Sequence, residues 1–496
     1  MSAAYYRIAA VIKRSSEDKF LLVRQASPPA PEEDHHRPYL DSHLWDLPSA
    51  PLNFLEEGDR VSDLIIQQGD SLHEKFDFGK FDIDSALGQV ASQIGRVPAI
   101  CGSWSVLKYV EEPDFGPDSP VKTLFILGHL LQEDEEFPDS CMWASKDSVA
   151  NMHLDSRPSG GRIGLFTIIG LLHGSDGFRN WQLPHILLSQ EYPLGIIVIP
   201  MRSRTQKPFY STNLVIILTD GEASESEDPA IFKYGDALLV DPGCSTHCHY
   251  ELEDLVMALP KKLIVFLTHH HYDHIDGLSV INKCNPDAIL LAHENTLNRI
   301  GKGTWSHQLL VISGGEKINI GNNKLEAVFA PGHTDGHIAL LHLNTNALIV
   351  GDHCVGAFGF SYGSAVLDIT SGGNMKDYFQ TTYKFLELSP SVLIPMHGRI
   401  NLWPRQMLCR YLKHRRDREQ EILKAIKNGA ETLYDIVANV YANVDIKLWF
   451  AASSNVRLHV EHLAYQDVLP KDFSLLDFNR SYDSFIKKIS TPSNEK

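Results

Sequence analysis

Residues 267–277 read Leu-Thr-His-His-His-Tyr-Asp-His-Ile-Asp-Gly, and no other stretch restricts the fold as strongly. The apolar run Leu263–Leu267 before it reads as a strand. The chain is then still extended at His269 and His271, two apart, and both side chains leave the same side. Two imidazoles so placed can hold one metal ion. Asp273 and His274 follow one turn later and can reach a second ion nearby, while His270 points away and takes no ligand role. Neutral imidazole and carboxylate suit zinc, with iron or manganese as alternatives.

Three later clusters, each directly after an apolar run, complete a set. Pro331-Gly-His-Thr-Asp-Gly-His337 offers His333, and Gly351-Asp-His-Cys354 offers Asp352, whose carboxylate can bridge two ions. Pro395-Met-His-Gly398 offers His397. Two cations a few ångströms apart lower the pKa of a bridging water and so supply hydroxide for hydrolysis. Asp273 is the candidate to orient that nucleophile and take up its proton. His337 is the second catalytic candidate, supporting a ligand or serving the leaving group, with packing as its alternative role.

Composition sets the frame around this site. The chain has 496 residues, 43% hydrophobic and 22% charged, which is a multi-domain globular composition. No apolar run approaches the ~18 residues of a membrane span. The opening segment carries Arg7 within its apolar stretch and lacks a small-residue cleavage site, so it reads as a strand and not a secretory signal. Seven scattered cysteines argue for a reducing compartment, and the cytoplasm is the expected location, with mitochondrion or plastid as alternatives. The net charge of −17 is uneven: −12 over residues 1–180, −8 over 181–400 and +3 over 401–496. A polyanion would meet repulsion in the first third, so nucleic-acid binding belongs to the C-terminal half.

The pattern divides the chain at 1–185, 186–403, 404–475 and 476–496. The first part opens with Arg7–Ile12 and Phe20–Arg24 around a polar turn, an antiparallel hairpin, and holds a helix near 84–94. The second alternates short β-rich runs with loops, an α/β arrangement. The third is helical, with apolar stripes at Leu433, Ile436, Val437 and Val440 and at Val456, Val460 and Leu463. The last part is read as a tail. Along 405–427, Arg405, Arg410, Lys413, Arg415, Arg416, Arg418, Lys424 and Lys427 outnumber the acids and could bind phosphates; a solvated helix face with i,i+4 pairs explains them as well. Cys244, His247, Cys248 and His249 are metal-ligand types at short spacing, yet no second paired cluster supports a third zinc.

The His-x-His-x-Asp-His run with distal His333, Asp352 and His397 resembles the metallo-β-lactamase superfamily, which implies a four-layer αββα sandwich over some 220 residues. The preceding Asp of that family matches Asp241 in Leu-Val-Asp-Pro-Gly243, a supporting residue and not a ligand. The resemblance implies one zinc on His269, His271 and His333, a second on Asp273, His274 and His397, and Asp352 between them. Within the superfamily, His414–Leu423, Asp435–Tyr441 and Asn455–Leu463 are most similar to the β-lactamase-like protein 2 group, including plant members with an N-terminal addition. That likeness implies an endoribonuclease acting on single-stranded RNA, with a winged-helix-like C-terminal domain. The 45-residue interval from Asp352 to His397 leaves no room for the cap domain of the β-CASP nucleases. The first part resembles a Nudix fold. Its catalytic carboxylate positions read Gly88-Gln89 and Ser92-Gln93, so the resemblance implies a structural, homodimerising or nucleotide-sensing domain without Nudix hydrolysis. Two rival functions use the same residues: a glyoxalase-II-like thioesterase, and a non-catalytic metal-stabilised protein that senses a nucleotide.

Overall fold

In the middle segment successive strand residues point opposite ways, and both directions are apolar. Leu238, Val240, Ile264 and Phe266 turn to one side, while Leu239, Leu263 and Val265 turn to the other, and all are buried. Strands apolar on both faces require cover on both. A computed structural model of the chain supplies it and describes residues 5–14, 16–26, 28, 41–56, 65–67, 76–95, 104–130, 137–154, 161–172, 184, 187–205, 207–219, 231–301, 303–356 and 372–490. These strands lie in a seven-stranded sheet running from Gln190–Glu191 to Leu309–Val311, whose last four strands are parallel. A six-stranded sheet faces it, and Ile318, Ile320, Ala327, Leu340, Ile349 and Ile394 enter the shared core.

Helices cover the two outer faces. His249–Ala258 and Leu278–Cys284 lay Leu252, Leu255, Leu278 and Ile281 on the first sheet. Met375–Leu388 and Pro404–Lys427 lay Tyr378, Phe385, Leu408 and Leu412 on the second. The result is the expected αββα sandwich.

The first segment forms a nine-stranded mixed sheet around Tyr5–Arg14, which pairs antiparallel with Lys19–Gln25 as the hairpin pattern implies. One face, with Ile8, Ala10 and Ile12, packs on the helix Ile83–Gln93. The opposite face, with Ala9 and Val11, is continuous with the sandwich core. Gln93, at the end of that helix, exchanges two hydrogen bonds with the Ser49 backbone, at 2.6 and 3.2 Å. Polar contacts fix this domain to the sandwich. Arg162 donates to Ser391 O (3.0 Å) and stacks on Trp403. Asp41 accepts from the Arg405 and Gln406 amides, which closes the start of the long helix Pro404–Lys427.

The C-terminal domain is helical throughout and strand-free among its described residues. The expected stripes are buried, except that Val440 is only half-buried. The expected tail is a correction. Leu475–Arg480 and Tyr482–Ser490 are helices, and Phe478 and Phe485 are 1% and 0% exposed in the same core as Val456 and Val460. Each of the two short helices contributes one phenylalanine to that core, so this stretch has apolar surface that the domain buries. No helix of the described residues is long and apolar enough to cross a membrane.

One buried histidine ties the first domain to the second. His153 Nε2 accepts from Leu194 N at 2.9 Å and its ring stacks near Tyr192. Burial, then the neighbouring His342, pushes its pKa down to about 4. The neutral form is therefore required. Its contribution is full above the unfolded value of about 6.5 and is lost as pH falls toward about 4. Urea unfolding should show about 2 kcal/mol less stability from this group at pH 5 than at pH 7. His153→Gln, which keeps an acceptor for Leu194 N, should flatten that part of the pH dependence.

Candidate metal centre

The ends of four strands, Leu263–Phe266, Asn323–Phe329, Ala347–Gly351 and Val392–Pro395, open on one edge of the sandwich and deliver every ligand candidate to one place. His269 Nε2, His271 Nδ1 and His333 Nε2 stand 2.9, 3.2 and 3.2 Å apart. Tetrahedral zinc with ~2.05 Å Zn–N bonds would set such nitrogens about 3.3 Å apart. Asp352 Oδ2 lies 3.8 Å from His269 Nε2 and 3.7 Å from His333 Nε2. His274 Nε2 is 3.4 Å from Asp352 Oδ2, and His397 Nε2 is 3.5 Å from Asp352 Oδ1 and 3.4 Å from Asp273 Oδ2. The seven expected side chains thus form two groups, with Asp352 between them. His270 belongs to neither group.

The surrounding hydrogen bonds aim the ring nitrogens. Asp241, at the end of the strand Ala237–Val240, accepts from Thr268 N (2.8 Å), the Thr268 hydroxyl (2.6 Å) and His274 Nδ1 (2.8 Å). Because the Thr268 hydroxyl gives its proton to Asp241, its oxygen is left to accept from His269 Nδ1 at 3.0 Å. His397 Nδ1 donates to Ser211 O at 2.8 Å. In each ring Nδ1 is engaged by a neighbour, so Nε2 is the nitrogen that faces the centre and is left for an ion.

The centre favours positive charge. Burial works against protonating His397, but Asp352 and Asp273 outweigh it and push its pKa up to about 10. Burial likewise opposes ionising Asp273, yet His274 and His397 hold its carboxyl below the usual range. His274 Nε2, His397 Nε2 and Asp352 Oδ1 are buried with no hydrogen-bond partner. Such orphaned donor atoms pointing at one another fit a divalent cation, which satisfies all of them.

His337 takes the supporting place among the roles its sequence position offers. It is 0% exposed, and its Nε2 accepts the Asp352 amide at 3.1 Å, so it positions Asp352 from behind. Gly351 makes that contact possible: its φ is +59°, and a Cβ there would sit 2.2 Å from His337 Nε2. Cys244 and Cys248 join no metal-holding group among the described residues, and burial pushes the Cys244 thiol up to about 12. Cys354 is a fully buried core residue. Of the aromatic candidates, Tyr272 is 70% exposed at the rim, with Arg204 5.1 Å from its ring. Phe358, Phe360 and Tyr362 lie outside the described residues.

Comparison with known proteins finds family matches in two parts of the chain. Residues 232–397 match the Metallo-beta-lactamase superfamily and residues 432–469 the Beta-lactamase associated winged helix domain. The chain therefore carries a metallo-β-lactamase fold between an N-terminal sheet domain and a C-terminal winged-helix domain. Among curated proteins it is 26% identical over 208 residues to a Beta-lactamase-like protein 2 homolog of Caenorhabditis elegans, covering 41% of this chain and 66% of that one. It is 28% identical over 210 residues to the Drosophila melanogaster homolog, covering 40% and 67%. A Hydroxyacylglutathione hydrolase of Thermosynechococcus vestitus is 30% identical over 139 residues, covering 28% and 51%. A metallo-beta-lactamase family protein from Thermus thermophilus superposes with a TM-score of 0.43 at 18% identity, over 55% of this chain and 94% of that one.

The Asp241 relay generates a prediction. Asp241→Asn keeps the shape but not the acceptor pair, so metal affinity should fall about 10- to 100-fold in a chelator-competition titration. Gly243→Ala should do worse, because its Cβ would meet Asp273 O at 1.6 Å and displace the loop that carries Asp273 and His274.

Proposed function

We propose that the chain is a two-zinc hydrolase that cleaves phosphodiester bonds of single-stranded RNA. The winged-helix match at 432–469, directly behind the metal domain, carries this reading, because helix-turn-helix-type modules are built to lie on nucleic acid. His269, His271 and His333 would hold one ion, Asp273, His274 and His397 the other, and Asp352 would contact both. Bound there, the pair supplies hydroxide at neutral pH and Lewis-acid stabilisation of the developing oxyanion. Asp273 is the carboxylate placed to orient the nucleophile and accept its proton. His337 and Asp241 hold their neighbours in place. Tyr272 presents an open ring at the rim, on which a base can stack, and Arg204 is anchored beside it by Asp276 at 2.5 and 2.6 Å.

The cationic helix contributes less than its composition implies. Arg415 is 2% exposed and stacks on Tyr378, Arg418 pairs with Glu421, and Lys413 pairs with Asp417. Lys424 and Lys427 remain exposed for phosphate contact. The first domain, read as a Nudix relative without its carboxylates, serves the sandwich structurally.

The hydroxyacylglutathione hydrolase similarity gives a second reading, thioester hydrolysis with the same ligands. The test is zinc-loaded protein on end-labelled single-stranded RNA and on S-lactoylglutathione, with Asp273→Ala in parallel. RNA cleavage should be seen and should fall at least about 100-fold in the variant. Thioester turnover without RNA cleavage would replace the nuclease reading with the second one.

A further inference from the structure

A cavity of about 750 Å³, lined by none of the metal-ligand candidates, lies between the first domain's sheet and the segment 399–403. It has a size suited to a small organic molecule. Its floor is an aromatic pair, Phe125 and Phe166, whose ring centroids are 6.4 Å apart at an edge-to-face angle of 63°. A cation stands on each ring: the Arg7 guanidinium 5.4 Å from Phe166, and the Lys108 ammonium, which also donates to Ile169 O, 5.7 Å from Phe125.

The carboxylates on the same wall are already engaged. Asp46 accepts from the amides of Leu47, Phe166 and Thr167 and from the Thr167 hydroxyl. Glu112 is bound to Arg399 at 2.7 Å and to Val121 N at 2.9 Å, and Glu111 pairs with Lys122 at 3.2 Å. Glu191 accepts from Gly195 N at 2.9 Å. Arg7 has no such counter-charge among the described residues. Its Nη atoms reach only the hydroxyls of Tyr5 and Ser49, at 3.4 and 3.1 Å, and its Nε is buried without a partner. A guanidinium on an aromatic floor, held by hydroxyls and by no carboxylate, is a receptor for an anion. Leu165, Ile169 and Leu402 give the rest of the wall an apolar character.

We propose that this cavity binds a small organic anion with an apolar body, its acid group on Arg7 and Lys108 and its body against Phe125, Phe166 and Leu402. The site is independent of the hydrolytic reading, since none of these residues belongs to the metal centre.

Calorimetric titration of the full-length protein with 2-naphthoate, octanoate and uncharged 2-naphthalenemethanol tests it. One 2-naphthoate per chain should bind, at least about tenfold more tightly than the uncharged analogue. Arg7→Gln should weaken 2-naphthoate about tenfold, and Val110→Trp, which fills the cavity without changing charge, should abolish binding. Octanoate binding as well as 2-naphthoate would mark the occupant as an aliphatic acid, and selective 2-naphthoate binding would mark it as aromatic. Absence of saturable binding, equal affinity for the uncharged analogue, or binding that survives Val110→Trp would overturn the proposal. The last outcome would place the acid elsewhere, the metal centre included. Val110→Trp and the uncharged analogue decide the matter even if Arg7→Gln fails to fold.

Discussion

The Asp241 carboxylate is the interaction on which the metal centre depends. Fully buried charge is tolerable only where several donors converge on it, and here two protons come from Thr268 and one from His274. Each donor bond has a second effect. It fixes where a proton sits, and so fixes which lone pair faces the centre. Remove the carboxylate and the Thr268 hydroxyl is free to rotate, after which the tautomer of His269 is no longer set. Asp241 itself adopts φ +49°, an uncommon conformation outside glycine, and the next two residues run so close to Asp273 that Gly243 admits no side chain. The strand end, the tight turn and the ligand loop are therefore one unit.

The sandwich keeps the conformational cost of such a unit low. Ligands placed on a flexible segment would each lose backbone freedom on binding an ion. Here His269, Asp352 and His397 follow strands whose side chains are all buried, and His333 follows one with a fully buried inner face up to Ala327. Their positions are set by packing before any ion arrives, which is the condition for a preorganised site. The electrostatic cost of gathering carboxylates and imidazoles in a dry edge is offset within the protein by mutual pairing, and by a cation when one binds.

How much of this is legible in the sequence follows from what is local. The His-x-His-x-Asp-His spacing and the residues after each apolar run locate the ligands, because strand ends position side chains without reference to distant chain. His337 has the same local signature as a ligand, four residues after His333 in a glycine-rich turn. Its actual place behind Asp352 depends on the pairing of Ile338–His342 with Ala347–Gly351, which no local pattern reveals. The basic run along 405–427 misleads for a related reason: charge is visible in sequence, whereas Arg415 stacking on Tyr378 is a contact between two helices. Lys317–Ile320 and Leu309–Val311 do not stand out as strands because they are short, with polar or exposed positions. The helices within 475–490 are hard to see because their apolar residues are sparse, even though Phe478 and Phe485 complete a core that starts far earlier in the domain.

Among its described residues the first domain contributes no ligand to the metal centre, yet its attachment is too specific for a passive appendage. His397 sits in a short segment held from two sides. On the sandwich side, the Asn213 side-chain amide donates to Pro395 O at 2.7 Å and to Gly398 O at 2.8 Å. From the other side, Glu112 binds Arg399, Arg162 reaches the carbonyls of Ser391 and Leu402, and Asp41 closes the helix that begins at Pro404. A shift of about one ångström in His397 would separate its Nε2 from both Asp273 and Asp352, and metal sites tolerate little such error. Contacts on Ser391, Arg399, Leu402 and Arg405 bracket that histidine in sequence. The first domain is thus part of the frame that holds the last ligand, which gives a physical reason for it to stay joined to the metal-centre domain.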